Sequence, residues 1–113
     1  MNATIAIDRL VIAVISSQDV GELEQQLIRN GFYFTRLTGQ GGLLSDEIVT
    51  LLVGINASRH AALLDLIGRC CHTRVKYVPA IDNSAFQGQP LMIEAEVGGA
   101  IIYTCEVEQF VQY

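Results

Sequence analysis

Apolar and amphipathic stretches alternate along the first part of the chain. Residues 10–15, LVIAVI, form a continuous apolar run rich in β-branched residues, which is typical of a central strand. Asn30-Gly31 is a common helix end, because glycine adopts the left-handed conformation without strain. Between these segments, apolar positions recur at helical spacing at Val20, Leu23, Leu27 and Ile28. The pattern predicts a strand followed by an amphipathic helix.

Three short polar residues are candidates for the N-cap of this helix. Ser16, Ser17 and Asp19 can each accept a hydrogen bond from a backbone N–H group of the first turn. Glu22 stands three residues after Asp19 and completes a capping-box pattern. The capping box favours a helix that starts at Asp19.

The later segments predict a second helix and several more strands. A helix is expected to start at Asn56-Ala57-Ser58, with an apolar face at Ala61, Leu63, Leu64, Ile67 and Cys71. Residues 80–89 are polar and turn-rich, as in a mobile loop, and the apolar residues of the tail 107–113 are expected to dock. Strands are predicted at 32–38, 47–55, 75–78, 91–97 and 100–105.

The order of these elements predicts an α+β, ferredoxin-like fold for the single domain 1–113. Strand, helix, strand, strand, helix, strand is the double split β-α-β order, to which a hairpin-like extension is added. It implies an antiparallel sheet with two helices on one face. The strands lack clean polar alternation, so the other face must also be covered, and packing among symmetric copies would cover it.

Composition favours an oligomer and excludes some partners. Half of the residues are hydrophobic and only 17% are charged, so a domain this small has surplus apolar surface. The net charge of −5 argues against DNA or RNA as partner, because no basic face can neutralise phosphates. No apolar run is long enough for membrane insertion, and the first residues lack the features of a signal peptide. We therefore expect a cytoplasmic protein.

The glycine-rich segment Gly39-Gln40-Gly41-Gly42 lies between two predicted strands. Adjacent glycines let backbone N–H groups approach a ligand closely, because no Cβ stands in the way. A small phosphorylated ligand can be held in this way even by an acidic protein. The segment therefore indicates a binding device with no visible catalytic residues, although turn geometry alone would also explain the same glycines.

The cysteines offer little chemistry. Cys70 and Cys71 are adjacent near a helix end, where neighbouring side chains diverge, so a metal site with His72 is disfavoured. A nucleophilic cysteine needs a base beside it and a lowered pKa, and the sequence shows neither. We expect no metal, no cofactor and no enzymatic activity.

Several segments in order resemble the cyclic-di-AMP receptor family of PII-like signalling proteins. Residues 30–37 (NGFYFTRL) resemble the family's Asn-x-Phe-x-x-Thr-Lys-Leu strand, and residues 41–44 (GGLL) resemble its Gly-Gly-Phe-Leu turn. Residues 17–19 (SQD) resemble its acidic cap before the first helix. Residues 96–100 (EVGGA) match its Glu-Val-Gly-Gly-Ala segment, and residues 110–113 (FVQY) match its closing Phe-x-Gln-aromatic. The resemblance covers nearly the whole chain.

The resemblance implies a PII-like homotrimer that binds one dinucleotide in each cleft between subunits. Such a protein is a signal-transduction receptor for cyclic-di-AMP, or a related small adenine nucleotide, and regulates a partner protein, here unknown, through loop movement. The implied ligand residues lie on the predicted strand pair, its turn and the tail: Thr35, Gly42, Leu43, Leu44, Gly54 and Gln112.

The chain departs from the family's pattern at several ligand positions. Leu43 replaces an aromatic residue that would stack on adenine, and Ile48 replaces a polar residue suited to a base. Tyr33 stands where an arginine is common, whereas Arg36 keeps a positive charge in place of the family's lysine. The loop 80–89 is shorter than usual. The alternative is a trimeric PII-like interaction module that has lost nucleotide binding.

Overall fold

The computed structural model describes residues 6–37, 48–79 and 92–113. The glycine-rich turn 39–42 and the loop 80–89 lie outside these ranges. In the described ranges, no helix combines the length and the apolar character needed to cross a bilayer.

Six strands and two helices match the elements expected from the sequence. The strands are β1 (Arg9–Ser16), β2 (Tyr33–Leu37), β3 (Ile48–Ile55), β4 (Arg74–Pro79), β5 (Met92–Val97) and β6 (Ala100–Glu106). The helices are α1 (Ser17–Arg29) and α2 (His60–Cys70), and a short 3-10 turn (Ala57–Arg59) precedes α2. The bounds differ from the expected ones by one or two residues, except at the starts of α1 and α2.

The strands form a four-stranded antiparallel sheet of order β2-β3-β1-β6 and a separate two-stranded arm, β4-β5. The element order had placed the strand at 75–78 in the main sheet, and this is wrong. That strand is β4, which pairs with β5 instead. The last strand, β6, takes the place beside β1. The sheet keeps the ferredoxin-like order, with the arm inserted between α2 and β6.

Both helices cover the same face of the sheet. Alternate β1 residues Val11, Ala13 and Ile15 are fully buried, and they lie opposite alternate residues of β3. They form one core cluster with Leu23 of α1 and Leu63 of α2. The prediction of an antiparallel sheet with both helices on one face is confirmed.

The first turn of α1 differs from the expected capping box. Ser16 is the N-cap, and its hydroxyl accepts a hydrogen bond from the Gln18 N–H group at 3.3 Å. Asp19 lies inside the helix and is only 5% exposed. Its carboxylate accepts hydrogen bonds from Arg74 at 3.0 and 3.4 Å. The expected start at Asp19 is therefore wrong, because Ser16 caps the helix and the Asp19 carboxylate pairs with Arg74 instead.

This ion pair fixes the base of the β4-β5 arm to the start of α1. Gly98 joins β5 to β6 with a φ of +80°, in the left-handed region. A Cβ there would meet the His72 carbonyl at 2.7 Å and the Asp19 carboxylate at 2.9 Å, and would collide with the Arg74 guanidinium. Only glycine leaves room for the pair at this position.

The second face of the sheet is rich in apolar side chains, and neither of the two described helices covers it. Register places Ile12 and Val14 of β1 on this face, with Leu52 of β3. Ile101 and Tyr103 of β6 lie on the same face and are 58% and 57% exposed. We name this surface the open face.

Candidate functional site

A groove of about 890 Å³ lies on one end of the open face. Its floor is built from neighbouring residues on three strands, with Tyr33 opposite Gly54 and Thr35 opposite Leu52. Leu10 of β1 adjoins Gly54 from the other side. Its volume falls in the range usual for small-molecule sites.

The walls of the groove come from segments that are distant in sequence. They are Ile7, the turn Gly31-Phe32, the pair Asn56 and Arg59, and the tail residues Val107, Phe110 and Gln112. Hydrogen bonds hold several of them together. Asn56 donates its side-chain amide to the Ala6 carbonyl at 2.8 Å, and the Val107 N–H group donates to the Asp8 carbonyl at 3.0 Å.

Three of the six expected ligand residues meet in this groove. Thr35, Gly54 and Gln112 lie on β2, on β3 and in the tail, and all three line it. The side chain of Ile7 packs over Gly54, because a Cβ there would meet it at 3.2 Å. Gly42, Leu43 and Leu44 lie outside the described residues.

The tail docks less fully than its apolar pattern suggested. Val107 is half-buried, whereas Phe110 and Val111 are each 52% exposed. Phe110 lines the groove with Tyr33, which is 82% exposed. Two exposed aromatic rings in one groove are suited to contact with the flat face of a ligand.

The groove carries positive charge in an otherwise acidic chain. Among the described residues that line it there are two arginines, Arg9 and Arg59, and no carboxylate. Arg9 stands 3.8 Å from Asp8 and 4.0 Å from Glu106, so its charge is partly offset. The lining therefore favours an anionic ligand with apolar or aromatic parts.

Arg36 does not supply the positive charge that the sequence suggested. It lies on the helix-covered face, and its guanidinium binds the carboxylate of Glu24 in α1 through two hydrogen bonds, one of 3.0 Å. The hydrogen bond to Glu24 raises the pKa of Arg36. Its charge therefore holds β2 against α1.

Ile48, expected near the base of the ligand, lines a different depression. This second depression, of about 550 Å³, lies between the start of α1, the start of β3 and the turn between β5 and β6. Ile48 shares it with Thr73, Gly98 and Ile101. In a single chain, Ile48 is thus separate from the groove that holds Thr35.

The cysteine environments do not suit nucleophilic catalysis. Burial, together with the negative charge of Asp19, raises the pKa of the Cys71 thiol from 9.0 to about 12. Burial also raises the pKa of Cys70. These thiols stay protonated at neutral pH, and the thiolate is the reactive form. The Nε2 atom of His60 lies 3.0 Å from the Thr104 hydroxyl, so its described hydrogen-bond partner is a hydroxyl and not one of these thiols.

A match to a known family agrees with this geometry. The sequence model of the cyclic-di-AMP receptor family matches residues 8–113. The chain belongs to this family. The assignment covers every described segment that lines the groove except Ile7.

Two solved structures resemble this member of the family. A protein of unknown function from Pediococcus pentosaceus ATCC 25745 shares 28% identity, with a TM-score of 0.71. The match covers 95% of this chain and 98% of that one. A candidate PII-like signaling protein from Thermus thermophilus shares 16% identity over 88% of each chain, with a TM-score of 0.42. At that score the second likeness carries no weight.

Sequence patterns did not identify every residue of the groove. No motif in the sequence marks Arg9 or Arg59 as a residue of the groove. Neither arginine has a signal in sequence, because each reaches the groove through tertiary packing. The folded structure is needed to identify both of them as residues of the groove.

Proposed function

We propose that this receptor-family protein binds cyclic-di-AMP, or a related small adenine nucleotide, in the groove on its open face. The observation that carries the proposal is the meeting of Thr35, Gly54 and Gln112 in one groove that is free of carboxylates among its described lining residues. Each comes from a different segment. Together they supply a hydroxyl, a site of close approach and an amide.

The chemistry of these residues suits a nucleotide. The Gln112 amide can donate to and accept from the edge of adenine, and the Thr35 hydroxyl can bond a phosphate or a base. Tyr33 and Phe110 offer aromatic surface for stacking, which is worth about 1–3 kcal/mol per base. Gly42, Leu43 and Leu44 would complete the site from the glycine-rich turn, with the Gly42 N–H group donating to phosphate.

The proposal includes assembly as a homotrimer in the cytoplasm. The uncovered apolar side chains of the open face are the reason to expect other copies against it. Each groove would then be completed by a neighbouring subunit. Nucleotide binding would regulate a partner protein through loop movement, without enzymatic activity.

Isothermal titration calorimetry of the purified protein tests the proposal. Titrations with cyclic-di-AMP, cyclic-di-GMP, ATP and AMP should give the tightest binding for cyclic-di-AMP. Gln112→Ala should weaken that binding, whereas Gln109→Ala should not, because Gln109 is exposed and does not line the groove. Absence of heat with all four nucleotides would exclude the function.

A second candidate function is a trimeric interaction module without a nucleotide. The observation that favours it concerns Ile48, a position where the family has a polar residue suited to a base. Its side chain is apolar and exposed, and it lies away from the groove. The double substitution Leu43→Phe with Ile48→Asn separates the two candidates. If the protein is a weakened receptor, it should bind cyclic-di-AMP more tightly by about 1–3 kcal/mol.

The glycine-rich turn gives a further test of the two candidates. Gly42→Val should abolish nucleotide binding and leave the oligomer intact, because a side chain there would block the approach of phosphate to the backbone. If Gly42→Val unfolds the protein and the double substitution changes nothing, the interaction module is the better description.

A further inference from the structure

Arg59 reaches the groove from the last position of the 3-10 turn before α2. Its Nη2 atom donates to the Asn30 carbonyl at 2.6 Å, and its Nη1 atom donates to the Gly31 carbonyl at 3.3 Å. Its guanidinium carbon lies 3.9 Å from the centre of the Phe32 ring. The side chain is thus held at one wall of the groove by two hydrogen bonds and a cation–π contact.

These contacts hold the guanidinium in place without neutralising it. Carbonyl oxygens and an aromatic ring carry no formal charge. In the part of the chain that the structure describes, four arginines stand within 4.0 Å of a carboxylate, namely Arg9, Arg36, Arg69 and Arg74, and Arg59 is not among them. Arg59 is therefore the groove arginine whose positive charge is not offset by an ion pair.

A fixed and uncompensated guanidinium is well suited to recognise an anion. The two carbonyl contacts leave further N–H groups of the fork for another acceptor. Because the side chain is already immobilised, little rotamer freedom is lost when an anion binds. An arginine–phosphate hydrogen bond is also stronger than one between neutral groups.

We infer that Arg59 is a ligand-binding residue that recognises a phosphate group of the nucleotide in the groove. This inference rests on the proposed function and adds the residue that supplies the charge. The ligand class it selects is an adenine nucleotide with at least one phosphodiester or phosphate, rather than an uncharged nucleoside.

Two substitutions and a matched control test the role of Arg59. Arg59→Gln removes the charge, and Arg59→Lys keeps it while losing the fork. Arg69→Gln makes the same change in net charge at an exposed site on α2 outside the groove. Each variant is titrated by calorimetry with cyclic-di-AMP at low and at high salt, and with adenosine as an uncharged probe.

Arg59→Gln should weaken cyclic-di-AMP binding by about tenfold or more at low salt. The deficit should shrink at high salt, because ions screen the missing interaction. Arg59→Lys should retain part of the affinity, and Arg69→Gln should bind like the original protein. Adenosine should bind equally to all of them, which a merely structural defect would not allow.

Other outcomes overturn the inference in distinguishable ways. Unchanged cyclic-di-AMP binding by folded Arg59→Gln refutes the role of Arg59 and leaves the proposed function standing. An equal loss for adenosine and cyclic-di-AMP shows that Arg59 only supports the wall. No binding of any nucleotide to the unsubstituted protein refutes the proposed function and the inference together.

If Arg59→Gln does not fold, a measurement on the unsubstituted protein still tests the role of Arg59. The side-chain Nε–Hε resonance of Arg59 can be followed by NMR during titration. It should shift when cyclic-di-AMP is added and stay in place with adenosine. If the backbone signals of Thr35 shift with cyclic-di-AMP and the Arg59 Nε–Hε resonance does not, the inference is contradicted.

Discussion

At the residue scale, the tightest packing constraint lies at Gly98. Its positive φ and the atoms around it combine two separate obstacles to any larger residue. The left-handed conformation strains a residue with a Cβ, and the nearby carbonyl and carboxylate oxygens leave no space for one. These oxygens belong to His72 and Asp19, so the constraint joins the arm to α1.

Gly98→Ala should destabilise the protein by at least about 2 kcal/mol, because it adds strain and forces the ion pair apart. Gly21→Ala is the matched control, since Gly21 lies within α1 with no heavy atom near the position of a Cβ. That change should raise stability by about 0.5–1 kcal/mol. Urea unfolding measures both effects, and equal midpoints would contradict the packing argument.

The buried thiol of Cys71 predicts a loss of stability at alkaline pH. Its pKa is about 12 in the folded protein, compared with 9.0 for an ordinary thiol. Between these values the unfolded chain releases a proton that the folded chain keeps, so the free energy of unfolding falls as pH rises from about 9 toward about 12. Urea unfolding across this range should give a shallower fall for Cys71→Ser.

Cys105→Ser serves as the control for this measurement, because Cys105 is exposed. It should follow the pH dependence of the unsubstituted protein. A chemical test runs in parallel, in which iodoacetamide at about pH 8 should modify Cys105 well before Cys71. Rapid alkylation of Cys71 in the folded protein would show that burial does not protect the thiol.

At the scale of elements, the β4-β5 arm is held to the domain by a single described ion pair. The Asp19 side chain is 5% exposed and that of Arg74 is 36% exposed, so the pair is only partly shielded from water. The hydrogen bonds to Asp19 raise the pKa of Arg74, and its charge persists at any ordinary pH. The contact is thus insensitive to moderate alkali.

Arg74→Met should loosen the arm more than the rest of the fold. It leaves the carboxylate of Asp19 without its partner, at a cost of about 1–3 kcal/mol for a partly exposed pair. Amide hydrogen exchange should quicken across β4 and stay slow in β1. Arg69→Met breaks an exposed pair with Asp65 and should change neither region. An equal change in amide exchange in β4 and in β1 would contradict the anchoring role of the Asp19–Arg74 pair.

The elements themselves could be predicted from the sequence, whereas their partners could not. Apolar periodicity and helix-end residues are local signals, and they located all six strands and both helices. Strand pairing depends on contacts far apart in sequence, so nothing local distinguished β4 from β6 as the neighbour of β1. Asp19 shows the same limit, because its partner Arg74 is distant along the chain.

The residues of the groove could likewise be predicted only in part from the sequence. Thr35, Gly54 and Gln112 were predicted through the resemblance of their motifs to a family, and the fold then brought them into one groove. Arg59 was missed, because its contacts to Asn30 and Gly31 exist only after the 3-10 turn packs against the end of α1. Charge compensation is a property of the folded structure that a motif does not record.

At the scale of the whole molecule, the apolar open face favours association with other copies of the chain. Apolar side chains of β1, β3 and β6 share it, and neither helix covers them. Burying such a surface between subunits would stabilise an assembly by the same effect that forms the core. This surface supports the proposed homotrimer.

Multi-angle light scattering should give the mass of a trimer at micromolar concentration. Ile101→Lys places a charge on the open face and should dissociate the assembly. Ile28→Lys changes a residue of similar exposure on α1 and should leave the trimer intact. A monomer mass for the unsubstituted protein would refute the assembly and the shared groove with it.

The pairing of β1 with β6 also bears on when the groove forms during synthesis of the chain. These neighbouring strands lie near opposite ends of the described chain, so the sheet closes only through contacts of very long sequence separation. Such contacts form late, because the loop between them must be ordered first. The tail that carries Gln112 follows β6 directly. A nascent chain therefore has both helices and the arm before it has a groove, because the groove is complete only after β6 and the segment with Gln112 have been synthesised.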